Sequence, residues 1–323
     1  MFSNVLLLSA GRRALLVEYF RQAIKHLGLP AKVLAADLEP RLSSACQLAD
    51  EALETPRIAD PDYIERLLAI CQMREVAIVV PTIDTDLLVL AQHRDRFAAV
   101  GTQVVVSDHA LVARCRDKRL TAQLFGEYRI ATAEEVDPHV PESYPLIARP
   151  YNGSSSKDIF VAHTIGELAL QVQGAPAFVF NRYLDHSQHD EYTVDMYFDR
   201  QHRLKCLVPR LRVAVRAGEV SKAITCKAPW IAGLRERFDQ LVGARGCLTM
   251  QLFVRRADQQ IFGIEINPRF GGGYPLAYEA GANYPAWILS EYLRHETIDY
   301  FDNWESPLTM LRYDAHVLVR PAA

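Results

Sequence analysis

Along residues 4 to 107, short apolar runs alternate with amphipathic stretches. VLLLS at 5–9, KVLAAD at 32–37 and VAIVVP at 76–81 have strand length, whereas the segments near 12–27 and 61–73 carry apolar residues at helical spacing. That order predicts βαβαβ, a doubly wound parallel sheet. Ligands of such sheets sit beyond the carboxyl ends of the strands, which singles out the loops Ser9 to Arg13, Asp37 to Pro40 and Pro81 to Asp86.

After QVVVSD at 103–108 the pattern changes to two consecutive helical segments, near 109–115 and 117–127, and a domain boundary is expected near residue 107. From Pro145 the chain reads as β-rich. PLIARP, DIFVA, AFVFNRYL, EYTVDMYF and RLKCLV are expected strands, with a helix near 164–172 between the second and third. A helix is expected near 230–243, then two strands, the second ending in IFGIEIN, and a helical C-terminal part. The polar stretch NRYLDHSQHDE reads as a connection at a cleft.

Composition narrows the function classes. The chain has 323 residues, half of them hydrophobic and 23% charged, so it has material for two or three packed subdomains and no compositional reason for disorder. A formal charge of −3 provides no global field to collect nucleic acid, and no nucleic-acid partner is expected. The six cysteines are scattered without a CxxC pair and read as reduced thiols. The apolar run in MFSNVLLLSAGRR is short for a signal peptide, and no stretch approaches the ~20 apolar residues that span a bilayer. No membrane partner is expected, and the cytoplasm is the expected location.

The first strand is followed by SAGRR, with one glycine where a dinucleotide site needs GxGxxG, so NAD is not expected there. Asp37 then reads as a solvated strand-end carboxylate. A different anion site is suggested by YNGSSSK at 151–157, where small residues let backbone NH groups approach a phosphate. Arg149 ends the preceding strand and Lys118 opens an earlier helix, which puts two cations at the disposal of that loop.

The most specific element is the pair TMQLFV (249–254) and FGIEINPRFGGG (262–273). Glu265 and Asn267 are two apart on one strand and share a face, which Gln251 on the adjoining strand can reach. One carboxylate and two amide carbonyls suit magnesium, which takes hard oxygen ligands and fills its shell with phosphates and water. Arg269 points to the same cleft. In VPRLRVAVRAGEVSK (208–222), Arg210 and Arg212 share a strand face with Arg216 and Lys222 nearby, which reads either as a carboxylate clamp or as an exposed basic ribbon. Arg12, Arg13, Asp84 and Asp86 face the cleft in this topology, and Asp84 also suits the cap of a helix.

Taken in order, DK at 117–118, PLIARP with NGSSS, FNRYL, the acid of DEYTVD, and Gln251 with EINPR resemble the ATP-grasp superfamily, most closely its carbamoyl-phosphate-synthetase-like branch. The resemblance covers nearly the whole chain, with the motifs between 108 and about 300. It implies an ATP-grasp domain over 108–323 behind an N-terminal α/β domain over 1–107, with a mobile lid at about 118–184 and a metal- and substrate-binding part at about 185–323.

It implies ATP and Mg2+ as cofactors, with Mn2+ as a substitute. Lys118 and Arg149 would meet the phosphates under a loop containing Gly153, Ser154, Ser155 and Ser156. Asn181, Arg182 and Leu184 would form the adenine hinge, with Glu191 at the ribose and His189 beside it. Gln251, Glu265 and Asn267 would hold the metal, and Arg269 and Arg149 would act in catalysis. Arg210, Arg212, Lys222 and Asp84 are candidates for substrate.

The implied activity is ATP-dependent ligation of a carboxylate to an amine or thiol through an acyl phosphate, on small molecules, in a chain that admits a homodimer. Two other readings stay open here: an enzyme that releases its carbamoyl or acyl phosphate, and an ATP-binding regulatory module. The chain departs from the wider family in having arginine at 149, glutamine at 251 and asparagine at 181.

Overall fold

The computed structural model describes residues 2–152, 158–172, 177–216 and 218–320. β1 (Asn4–Leu8) is buried from Val5 onward, and α1 (Ala14–His26) buries Leu16, Val17, Phe20, Ala23 and Ile24 at helical spacing. There follow β2 (Val33–Asp37), a short α2 (Ser44–Leu48) whose first turn is capped by the Ser43 hydroxyl accepting from the Cys46 NH, β3 (Glu51–Glu54), α3 (Tyr63–Met73), β4 (Val76–Pro81), α4 (Asp84–Ala99) and β5 (Gln103–Val104). The five strands are parallel in the order β3-β2-β1-β4-β5. The order reverses beside β1, so the loops after β1 and β4 diverge there and open a crevice.

The expected doubly wound sheet is present. β3 is an addition, an edge strand of sequence EALE whose two acids mask its pattern. QVVVSD contributes a strand of only two residues, although the Val105 NH still donates to the Val79 carbonyl at 2.9 Å and Val105 and Val106 stay buried.

The faces of this sheet have different covers. Tyr63, Leu67, Leu87, Leu90 and Phe97 from α3 and α4 pack on Leu6, Leu8 and Val79. The opposite face packs α1 together with residues from the far end of the chain: Phe270, Tyr274, Tyr284, Ile288 and Leu289 share one core with Val5, Leu7, Ile78 and Val80.

The chain continues through α5 (His109–Arg116) and α6 (Lys118–Glu127), the second capped by the Asp117 carboxylate accepting from the Arg119 NH at 2.9 Å. β6 (Ala131–Thr132), β7 (Leu146–Pro150), β8 (Phe160–Ala162), α7 (Ile165–Gln171) and β9 (Phe178–Arg182) follow. β8-β7-β9 form an antiparallel sheet over a small core of Leu146, Ala148, Ala162 and Leu168.

The last part comprises β10 (His189–Phe198), β11 (Leu204–Arg216), β12 (Glu219–Thr225), α8 (Trp230–Arg237), β13 (Gly246–Arg255), β14 (Ile261–Asn267), α9 (Tyr274–Glu279), α10 (Tyr284–Leu293) and β15 (Thr309–Leu311). Its strands form a sheet in the order β15-β12-β11-β10-β13-β14-β6, antiparallel except for the last pair. The alternation of each strand sorts its faces. Val194, Met196, Leu248, Met250, Leu252 and Ile266 enter a core with Trp230 and Leu234, while Glu191, Thr193, Gln251 and Glu265 look the other way. The helix expected at 230–243 stops at Arg237, where the chain turns to bridge Gln240 with Arg203. Among the described residues no helix is long and apolar enough to cross a membrane.

Candidate active site

The polar face of the large sheet, the β7–β9 sheet and the loops after β1 and β4 enclose a cleft of about 960 Å³. At its floor, β13 and β14 pair with Gln251 opposite Glu265 and Thr249 opposite Asn267. The three expected metal residues therefore converge: the Gln251 amide donates to Glu265 Oε1 at 2.8 Å, and the Asn267 amide donates to the same oxygen at 2.9 Å. Both amides carry an oxygen on the same terminal group, so a half-turn replaces a donor with a metal-ligating oxygen.

No group of three His, Cys, Asp or Glu side chains forms a metal cluster among the described residues. The donor set here has a single carboxylate and fits a cation that brings further oxygens with it, as magnesium does with phosphate and water.

Cations face this floor. Lys118, at the start of α6, and Arg149, on β7, both line the cleft. Burial pushes the Lys118 ammonium and the Arg149 guanidinium below their usual ranges, while the charge of Glu265 pulls both back up. The Lys118 NH donates to the Tyr151 carbonyl at 2.8 Å, so the start of α6 is fastened to the start of the 151–157 segment. Gly153, Ser154, Ser155 and Ser156, expected to cover the phosphates, lie outside the described residues. Arg182, Leu184 and Glu191 line the cleft as expected.

Several expectations need correction. Asn181 does not line the cleft. It is buried, accepts from Arg149 Nη2 at 2.9 Å and donates to the Ala133 carbonyl at 3.1 Å, so it orients the arginine instead of reading adenine with its side chain. His189 is buried beyond the lining, edge-on to Phe253 and Phe262, with Nδ1 2.9 Å from the Asp185 carbonyl. His186 and Tyr183 line the cleft in its place. Lys222 is exposed and outside the lining, because a register shift in β11 beside β12 turns it outward. Asp86 is fully buried beneath the loops, where the Tyr63 hydroxyl donates to it at 3.2 Å.

Arg210 and Arg212 both line the cleft, but they do not form one clamp. Arg210 donates from Nε and Nη2 to Asp195 at 2.6 and 3.2 Å, and both partners are essentially inaccessible. Arg212 donates to Gln251 Oε1 at 3.2 Å and lies 3.2 Å from Glu191, which places it between β10 and β13 on the polar face of the large sheet. Asp84 reaches the cleft from the first turn of α4 and receives Arg269 in a two-pronged pair at 2.9 and 2.6 Å. Arg269, just after β14, is thus tied to the start of α4 in the N-terminal part. Arg116, which the sequence reading passed over, donates to the Asp84 carbonyl at 3.0 Å. Its position just before the DK pair is the signal that could have found it.

The described lining holds nine arginine or lysine side chains against four aspartate or glutamate side chains, in a chain whose overall charge is −3. The charge is therefore sorted within the fold, with positive side chains in excess around the cleft.

Residues 5–105 match the model of the PylC-like N-terminal domain, and residues 175–314 match that of the ATP-grasp in the biosynthetic pathway with Ter operon. No curated protein matches the sequence. Among solved structures, the Rhizobium etli pyruvate carboxylase T882A with acetyl coenzyme A is similar at TM-score 0.68 and 14% identity, over 92% of this chain and 29% of that one. The biotin carboxylase domain of the Hydrogenobacter thermophilus 2-oxoglutarate carboxylase, solved with MgADP, ADP and bicarbonate, gives 0.67 and 15% over 90% of this chain and 70% of that one. The L-amino acid ligase of Bacillus licheniformis gives 0.63 and 15% over 90% and 74%. This chain thus spans under a third of the pyruvate carboxylase and about seven tenths of the other two. The match of residues 175–314 to an ATP-grasp family model, the likeness to these structures and the sheet topology together give the chain an ATP-grasp fold behind an N-terminal parallel sheet.

Proposed function

We propose that the protein is a magnesium-dependent ligase that activates a small-molecule carboxylate with ATP and joins it to an amine or thiol, releasing ADP and phosphate. The observation that carries this reading is the convergence of Gln251, Glu265 and Asn267 across the cleft from Lys118 and Arg149. The likeness to a carboxylase domain solved with MgADP and to an L-amino acid ligase supports it.

In this reading Arg182 to Leu184 border the adenine, Glu191 meets the ribose, and Lys118 and Arg149 offset the charge of the phosphates. Glu265, Gln251 and Asn267 would hold magnesium, which when bound would supply electrostatic stabilisation of the phosphates. The substrate carboxylate attacks the γ-phosphorus, ADP leaves, and the acyl phosphate forms. The nucleophile then attacks the carbonyl carbon, loses a proton, and expels inorganic phosphate. Positioning and charge neutralisation suffice for phosphoryl transfer, and no protein nucleophile is needed. Arg269 serves by lying beside the reacting groups on the Asp84 anchor. The small separate core of the β7–β9 sheet suits a lid hinged over the nucleotide. The use of ATP and the free cysteines suit the cytoplasm.

The test is a phosphate-release screen of carboxylic acids paired with amines and thiols, with mass spectrometry of the products. A folded Glu265→Gln protein is expected to turn over at least ~10²-fold more slowly, because the site loses its one metal-binding carboxylate. Wild-type turnover in that variant would remove the metal site and the mechanism built on it.

A further inference from the structure

Next to the metal floor, the GGG turn after β14 has two arginines beside it that come from distant parts of the chain. A side chain at Gly273 would collide with Arg210 Nη1, and one at Gly272 would approach Arg13 Nη1 at 3.3 Å and Glu219 Cδ at 3.4 Å. Arg13 follows β1, and Arg210 stands on β11. Both residues line the same cleft, Arg13 beside Gly272 and Arg210 beside Gly273.

Arg210 is the informative one. It is 1% exposed, two of its nitrogens are spent on Asp195, and the third, Nη1, is buried without a hydrogen-bond partner. A buried cationic donor left unpaired carries a desolvation cost, and such groups have partners in the working protein. The unpaired nitrogen is the one beside Gly273, on the cleft. Arg13 is in a related situation: burial, and next the charge of Arg269, push its guanidinium down to about 10, with Glu219 only partly offsetting them. Glu219 is itself shared with Arg12 and Arg312.

We propose that Arg13 and Arg210, with the Gly272–Gly273 turn between them, form a subsite for a substrate carboxylate that is not the one phosphorylated. This rests on the ligase reading and deepens it. The reacting carboxylate belongs at the metal floor, and the subsite lies beyond it toward Arg13, so one of the two substrates carries an additional carboxylate. That group is either a second carboxylate of the acyl donor or the carboxylate of an amino-acid nucleophile. Gly273 is required because a methyl group there would run into Arg210 and Val220, whereas one at Gly272 would only crowd the tip of Arg13.

The test is a thermal-shift series on the full chain with Mg-ADP present, using paired probes that differ by one carboxylate: succinate with propionate, and L-alanine with L-alaninamide. The expected result is a higher midpoint for the carboxylate-bearing member of at least one pair, succinate marking a dicarboxylate donor and L-alanine an amino-acid acceptor. Arg13→Gln and Gly273→Ala are expected to weaken that probe about 10- to 100-fold, as for loss of a charge-assisted bond, with Arg13→Lys restoring part of it. Arg13→Gln leaves the Arg210–Asp195 pair in place and guards against a folding defect in Gly273→Ala. The subsite is overturned if neither pair separates, or if the difference survives in both variants. Stabilisation by Mg-ADP alone is read in the same series. Its presence without separation of the pairs removes the subsite and spares the ligase reading, and its absence removes the ligase reading.

Discussion

Asp86 shows how a single carboxyl group links stability to pH in this fold. It is fully buried in the first turn of α4, with one oxygen accepting from the Tyr63 hydroxyl and the other without a partner. Burial pushes its pKa up to about 6, against the bonds from Ser9 and Tyr63 and with help from the charges of Asp37 and Asp84. The folded chain therefore holds this proton to a higher pH than the unfolded chain, whose value lies near 3.9. Between about pH 4 and 6 the native state binds more protons than the unfolded one, so stability falls as the pH rises, and the loss is complete by pH 7. Asp86→Asn removes the ionisation and is expected to stabilise the protein at pH 7 by on the order of 1–3 kcal/mol, with the gain vanishing near pH 4. Denaturant melts of both proteins at the two pH values check this, and a variant less stable at pH 7 contradicts it. The sequence places Asp86 two residues after Asp84 in a loop facing the cleft, but it cannot show that a helix beginning at Asp84 turns the second acid inward. Asn181 and Arg210 were opaque for a similar reason. Their side chains are captured by Ala133 and Asp195, partners that only the folded chain brings near.

Elements were more legible where one period dominates. Glu265 and Asn267 could be assigned to one face because strands alternate strictly, and their meeting with Gln251 follows from the antiparallel pairing of β13 with β14. The length of α8 and the outward turn of Lys222 depend on a bridge and a register shift, which leave no trace in local hydrophobicity. The start of β13 depends on its neighbour in space. Gly246 has φ +69°, and a Cβ there would lie 2.5 Å from Val105 Cγ1, where the N-terminal sheet ends. Gly246→Ala combines left-handed strain of about 1 kcal/mol with overpacking of about 1–3 kcal/mol. A lower urea midpoint with an unchanged slope is expected, and an unchanged midpoint would show that β13 and Val105 separate freely.

At the scale of the whole molecule, the cleft exists because the chain returns to its beginning. Phe270, Tyr274 and Tyr284 pack against the N-terminal sheet, and Arg269 reaches Asp84, so the β13–β14 floor of the cleft and the loops after β1 and β4 are held in one frame. That closure was not readable from the N-terminal pattern alone, although the fold class was. The concentration of positive charge in the cleft of an acidic chain is likewise a property of the assembled molecule. The central claim is that this frame brings a carboxylate oxygen to the γ-phosphorus of ATP. It is tested most directly with the carboxylate returned by the turnover screen, labelled with 18O in both oxygens and supplied with Mg-ATP and its nucleophile. An acyl phosphate transfers one of those oxygens to the phosphate it releases, so the account predicts one 18O in each inorganic phosphate, read by mass spectrometry. Phosphate that takes its fourth oxygen from unlabelled water would show that ATP is hydrolysed without activating the carboxylate.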